Sequence, residues 1–281
     1  MNFQVVLQQK ASLKELCKKS SMSSSNSNIS DASSIAKLPF LDHLLLDDYE
    51  HVYEPSEDTY LMCDALHNER RELQRLGCNL ILEIGSGSGC NITYLAKLLT
   101  EVSEEECDQD SVLHSNGNHR TCKAIATDIN PRAVDATRRT AAANDVTIEC
   151  IQTDLVEGLQ GRLAGQVDVL LFNPPYVPTP DEEVGSGDIA ASWAGGERGR
   201  RVIDRFLPLL PLLLTPATQQ PTTPALCTGG RCYLVLVDEN DPAEIAATAK
   251  SMGLHARVVL RRRARNEGLL IMKLENVINS P

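Results

Sequence analysis

At 281 residues, with 42% apolar side chains and a formal charge of −11, the chain is long enough to bury one sizeable α/β core. No uncharged apolar run approaches the roughly 18 to 20 residues that span a bilayer, so no membrane segment is expected. The acidic balance repels a phosphate backbone, which makes nucleic acid a poor expected partner.

The nine cysteines are odd in number and scattered, mostly inside apolar segments, as expected of free thiols in a reducing compartment such as the cytoplasm or nucleus. Cys107, His114, His119 and Cys122 fall within sixteen residues, but their spacing matches no zinc module and no metal is expected. Residues 1–47 contain a Ser- and Asn-rich stretch from Ser20 to Ser34 that cannot bury enough to offset its ordering entropy. A disordered tail is expected there. An import peptide is the alternative, weakened by the absence of Arg and of a secretory apolar run.

From Tyr49 the pattern is regular. Pro55-Ser56-Glu57-Asp58 has helix-start chemistry, a capping hydroxyl followed by acids at the positive helix end, and Leu61, Met62, Ala65, Leu66, Leu73 and Leu76 recur at helical spacing. Asn79 to Ile84 is a short apolar run suited to a strand buried on both faces. It ends in Gly85-Ser86-Gly87-Ser88-Gly89, and a helix is predicted from Ile92 to Leu99. The alternation continues with strand 123–127, helix 131–143, strand 147–152, a short helix 155–163 and strand 167–172. Helix 199–214, strand 232–237, helix 242–252 and two closing strands at 255–260 and 269–274 complete it. Strands alternating with helices predict a mostly parallel sheet, and two final strands without a helix between them predict a terminal antiparallel hairpin. The expected fold is the seven-stranded Rossmann-like class I methyltransferase domain, over residues 48–281.

Two stretches interrupt the pattern. Residues 101–121 carry six acids against one base, Arg120, and residues 215–230 are rich in Thr, Pro and Gln. Both read as surface insertions. Arg261, Arg262, Arg263 and Arg265 form one basic cluster between the last two strands, expected as a solvated hairpin tip, with contact to an acidic or ribosomal surface as the alternative.

A glycine loop between strand and helix brings a ligand close to the backbone and to the helix N-terminus. Here the glycines alternate, Gly85, Gly87 and Gly89, and Glu83 precedes them, unlike a dinucleotide-binding G-x-G-x-x-G. S-adenosylmethionine, with its amino group, carboxylate and sulfonium cation, suits that acidic approach better than a pyrophosphate does. Asp128 ends the second strand, where an acid accepts two ribose hydroxyls; it lies 43 residues after Gly85 against the usual about 20, and the 21-residue acidic stretch accounts for the excess. Asp154 and Leu155 follow the third strand, placed for an adenine amino group and ring.

The sharpest signal is Phe172-Asn173-Pro174-Pro175-Tyr176-Val177 at the end of the fourth strand. Two prolines hold a rigid turn with outward carbonyls, and the Asn173 oxygen is a further acceptor. Two acceptors held together fix both hydrogens of a planar NH2 group and aim its lone pair at a methyl donor, with Tyr176 as an aromatic face.

The segments Val52 to Thr59, Glu83 to Gly89, Thr127 to Pro131, Asp154-Leu155, Phe172 to Val177, Trp193-Ala194-Gly195-Gly196, Gly199-Arg200 and Ile203 to Phe206 together resemble the HemK family. Within it the similarity is to the eukaryotic and archaeal release-factor glutamine methyltransferases. The resemblance implies transfer of a methyl group from S-adenosylmethionine to the glutamine side-chain amide of the Gly-Gly-Gln motif in the class-1 translation termination factor. It implies cofactor-binding roles for Thr59, Glu83, Gly85, Gly87, Asp128, Asp154, Leu155 and Asn173, and a catalytic loop of Asn173, Pro174, Pro175 and Tyr176. It also implies a small zinc-binding activator protein as heterodimer partner along the sheet edge, expected at the strand around Val146 to Ile151. The rivals are an adenine-N6 DNA or RNA methyltransferase, disfavoured by charge, and a non-catalytic binding protein on the same fold.

Overall fold

The computed structural model describes residues 37–100, 122–184, 189–217, 228–264 and 267–277. Most of the expected tail, all of the acidic stretch 101–121 with Cys107, His114 and His119, residues 218–227 of the second expected insertion, and Arg265 lie outside these residues.

Seven strands form one sheet: β1 (Leu80–Ile84), β2 (Lys123–Asp128), β3 (Glu149–Gln152), β4 (Val169–Phe172), β5 (Thr228–Val237), β6 (Leu254–Ala264) and β7 (Glu267–Val277). Their order is β3-β2-β1-β4-β5-β7-β6, parallel throughout except that β7 runs antiparallel to both β5 and β6. This is the expected fold, and β3 lies at an edge as expected. The strand order reverses between β1 and β4, the place where open α/β sheets bind ligands. Register completes the arrangement: Ile84 pairs with Thr127 on one side and Phe172 on the other, so the loops after all three strands open at one rim.

The helices are α1 (Glu57–Asn68), α2 (Arg70–Arg75), α3 (Cys90–Thr100), α4 (Pro131–Ala143), α5 (Gln160–Leu163), α6 (Arg201–Phe206), α7 (Leu210–Leu213) and α8 (Pro242–Ser251). Strand alternation divides β1 between two apolar layers. Ile81 joins Leu61, Leu66, Leu95 and Ile271 on one face, while Leu82 and Ile84 join Phe172, Phe206, Leu210 and Ile245 on the other. Each such side chain contributes about 1.5 to 3 kcal/mol on burial. The first face also holds an ionic cluster, in which the buried Lys273 ammonium donates to Glu69 and Glu72 at 2.9 Å and buried Arg231 pairs with Glu72.

Several boundaries differ from the sequence reading. The segment expected as one helix over 199–214 is broken into a 3-10 turn, α6, another 3-10 turn and α7. Pro208 and Pro211 explain it, since each lacks an N–H and crowds the preceding turn, so each sits at the start of a new short element. Residues 228–230, expected in an insertion, belong to β5. Arg261, Arg262 and Arg263 extend β6 instead of forming a tip, and two of them pair within the chain, Arg261 with Asp238 at 2.7 Å and Arg262 with Asp64 at 2.5 Å. Part of the segment 37–47, expected in the tail, makes contacts with the domain. Leu44 is buried with Val52, Ala133 and Ala136, and the Asn144 side chain bridges both backbone groups of Phe40.

Candidate active site

The glycine loop is held open by its own backbone and by α4. Gly85, Gly87 and Gly89 all have φ between 53° and 76°, which side chains rarely adopt. The amides of Gly85 and Ser86 donate to the Thr127 carbonyl, and α4 pins the loop through Thr137, whose hydroxyl donates to Ser86 Oγ at 2.8 Å, and Thr140, whose hydroxyl donates to the Ser88 carbonyl at 2.7 Å. A Cβ at Gly87 would meet nothing within 4 Å, so that backbone faces open space.

At the rim the loops enclose a cavity of about 440 Å³, lined by Thr59, Glu83, Gly85, Gly87, Asp128, Asp154, Leu155, Asn173, Pro175 and Tyr176 among others. That volume suits a nucleoside-sized ligand. Of the residues given cofactor-binding or catalytic roles in the sequence, Pro174 alone is not in the lining; it is buried within the loop. The lining also includes Asp58, so among the described residues four carboxylates face the cavity against one arginine, Arg205. Such a balance favours a cation over a pyrophosphate.

Each carboxylate is held differently. Glu83 is buried, and burial pushes its carboxyl well above the usual range, opposed by the Ile92 backbone N–H that donates to it at 3.1 Å. Burial also raises Asp128, against the backbone amides of Gly87 and Asn130, which donate to its two oxygens at 2.9 Å each. Each oxygen keeps a second lone pair for a bidentate contact with a diol. Asp154 is paired to Arg205 at 2.7 Å. Leu155 has φ 50°, uncommon for a branched side chain, and the Thr127 hydroxyl holds this turn by donating to the Leu155 carbonyl at 2.8 Å.

The Asn173 carboxamide is fixed from one side. Its Nδ2 donates to Asp58 Oδ2 at 3.1 Å, and the Tyr176 hydroxyl donates to the same oxygen at 3.0 Å. Asn173 Oδ1 is buried and has no hydrogen-bond partner. A buried acceptor left unpaired is costly and calls for a ligand group that satisfies it. The carbonyls of Pro175 and Tyr176 turn away to the 195–199 segment, where Gly195 and Gly199 approach them too closely for any Cβ.

Residues 110–185 match the methyltransferase small domain family. The chain is 42% identical to methyltransferase HEMK2 of Mus musculus, over 84% of this chain and 94% of that protein, and equally so to HEMK2 of Homo sapiens. It is 30% identical to the eRF1 methyltransferase catalytic subunit mtq2 of Schizosaccharomyces pombe, over 86% of this chain and 96% of that one. The chain belongs to the HemK family of methyltransferases. Among solved structures, the Mtq2–Trm112 complex of E. cuniculi, described as responsible for methylation of the eRF1 translation termination factor, is 26% identical with a TM-score of 0.53, covering 80% of this chain and 98% of that one.

Within this HemK-family site, two groups were not legible as site residues in the sequence. Asp58 read as an acid in the first turn of a helix and otherwise entered only within the Val52 to Thr59 segment of the resemblance, with no role given to it. Gly195 and Gly199 entered only through the resemblance, although two glycines four residues apart could have signalled close backbone approach.

Proposed function

We propose that this methyltransferase transfers a methyl group from S-adenosylmethionine to the side-chain amide of a protein glutamine, in the Gly-Gly-Gln motif of the class-1 translation termination factor. The observation that carries the reading is the buried, unpartnered Asn173 Oδ1, an acceptor on a residue that lines an acidic cavity. An amide NH2 satisfies that acceptor with one hydrogen, and the Pro174 carbonyl is the second acceptor we assign to it. An amide nitrogen is a weak nucleophile because its lone pair is delocalised, so fixing both hydrogens and the line of attack is the help it needs. The names of the relatives and the net charge of −11 support a protein substrate over an adenine base.

The residues present fit S-adenosylmethionine. Glu83 suits its ammonium, Asp128 its ribose diol, and Asp154 with Leu155 its adenine, while Gly87 leaves room for it along the backbone and Gly85, Thr59 and Asn173 complete the wall. When bound, the cofactor supplies an electrophilic methyl group on a sulfonium. Burial raises the Glu83 carboxyl, and an ammonium bound beside it would favour its ionised form. Binding is therefore expected to release a proton, with affinity rising as pH approaches the raised Glu83 value and levelling off above it. Calorimetry in two buffers of different ionisation enthalpy reads that proton directly; a buffer-independent enthalpy would remove Glu83 from this role.

A small zinc-binding activator subunit is the partner we assign. Among the described residues the outer edge of β3 has no strand beside it and offers backbone groups to an added one, and the E. cuniculi relative is a complex with Trm112. For such a substrate the cytoplasm is the compartment we assign, with the nucleus as a second one. Mass spectrometry of a termination factor incubated with the enzyme, this subunit and S-adenosylmethionine is expected to find one added methyl on the Gly-Gly-Gln glutamine. A modified adenine in a nucleic-acid control, with the glutamine untouched, would sink the reading.

A further inference from the structure

Asp58 is the second residue of α1, 115 positions before Asn173, and is 3% exposed. All the groups that meet its carboxylate are donors. Oδ1 accepts from the Thr59 backbone N–H at 2.8 Å, and Oδ2 accepts from Asn173 Nδ2 and the Tyr176 hydroxyl. More distant hydroxyls, Thr59 Oγ1 and Tyr53 Oη, each lie 3.4 Å from Oδ1. The helix N-terminus and the capping box between Ser56 and Thr59 fix the backbone beneath it.

We propose that Asp58 is a positioning residue that sets the polarity of the catalytic loop: by accepting from Asn173 Nδ2 and Tyr176 Oη it forces Asn173 Oδ1, and not Nδ2, toward the cavity. A carboxamide is nearly symmetric in shape, so packing alone does not choose between its two orientations. A carboxylate chooses, because it only accepts. With the amide inverted, Asn173 Oδ1 would face Asp58 Oδ2, acceptor against acceptor, and an NH2 would face the NH2 of the substrate. Asp58 thus acts on the substrate through Asn173. The inference rests on the glutamine reading above and deepens it, by naming what makes the site specific for a nitrogen that carries hydrogens.

The test is an exchange of the pair. Asp58→Asn offers an amide that donates to Asn173 Oδ1 and so favours the inverted, unproductive carboxamide. It is expected to lower kcat on the order of 100-fold, with a much smaller change in the dissociation constant for S-adenosylmethionine. In Asp58→Asn combined with Asn173→Asp, the roles reverse. The new Asn donates one amide hydrogen to the new Asp and the other to the Tyr176 oxygen, its own oxygen accepts from the Thr59 amide, and the second oxygen of the new Asp faces the cavity as an acceptor. The exchange is expected to turn over at least about 10-fold faster than Asp58→Asn alone, the signature of a pairwise interaction. All variants are assayed as full-length chain with the proposed subunit, on the termination factor. Wild-type kcat in folded Asp58→Asn overturns the proposal, and so does an exchange variant that folds no better and turns over no faster than the single variant. A wild-type enzyme inactive on the Gly-Gly-Gln glutamine would instead defeat the glutamine reading, a different result read in the same assay.

Discussion

Asn173→Ala is expected to lower turnover on the order of 100-fold or more, while weakening S-adenosylmethionine binding far less. The substitution deletes the buried acceptor Oδ1 and also the Nδ2 donor at 3.1 Å from Asp58. Asp58 keeps the Tyr176 hydroxyl and the Thr59 amide, so the loop retains an anchor and the fold should survive. Most of the proposed cofactor contacts come from Glu83, Asp128 and Asp154, which the change does not touch. Asn173→Asp is the finer probe. It keeps the shape but sets a second carboxylate against Asp58, and two carboxylates that close disfavour joint ionisation and raise the shared proton affinity. Its activity relative to wild type should therefore rise as pH falls, because a proton between the two carboxyls restores a donor facing Asp58. Near wild-type single-turnover rates for Asn173→Ala on a Gly-Gly-Gln substrate would remove the central assignment of this site.

What the sequence made legible follows the range of the physics involved. Helix α4 was read to the residue because its signals are local: Asn130 caps it by accepting from the Arg132 amide at 2.9 Å, Pro131 presets the first turn, and the apolar residues repeat on one face. The mostly parallel sheet with its terminal antiparallel hairpin followed from the same local pattern, since alternating elements allow few topologies. Helix 199–214 was misread because its apolar spacing outweighed Pro208 and Pro211, although the proline geometry decides. The extension of β6 through Arg261 to Arg263 was missed because those arginines find Asp238 and Asp64, partners distant in sequence. Asp58 was missed for the same reason. Its first-turn position explains it adequately as a helix acid, and nothing in the linear order places it against a loop 115 residues later.

Gly199→Ala is expected to destabilise the domain by about 2 to 5 kcal/mol and to cripple whatever folds, a larger effect than its size suggests. Gly199 has φ 67°, where a Cβ costs about 1 to 2 kcal/mol of backbone strain. That Cβ would also sit against the Tyr176 carbonyl oxygen, 2.6 Å from the carbonyl carbon and 2.5 Å from Asn240 Nδ2. The first obstruction is backbone and cannot swing aside. The second is a fully buried side chain that donates to the Tyr176 carbonyl at 2.8 Å and to the Arg198 carbonyl at 2.9 Å, tying the catalytic loop to the segment that follows it. Overpacking of this kind costs about 1 to 3 kcal/mol more, and for a domain of this size each kcal/mol lowers Tm by about 2 to 4 °C. Relief requires the Tyr176 backbone to move, and with it the hydroxyl that shares Asp58 with Asn173. Displacement on the order of 1 Å at such a loop costs about 100-fold in rate. Gly77→Ala separates the two causes, because Gly77 has φ 60° but a Cβ there meets nothing within 4 Å. It should show the strain alone, a modest loss of Tm with unchanged turnover. If Gly199→Ala matches Gly77→Ala in both melting temperature and kcat, the glycine is needed only for its backbone angle and the close seating of Tyr176 does not matter.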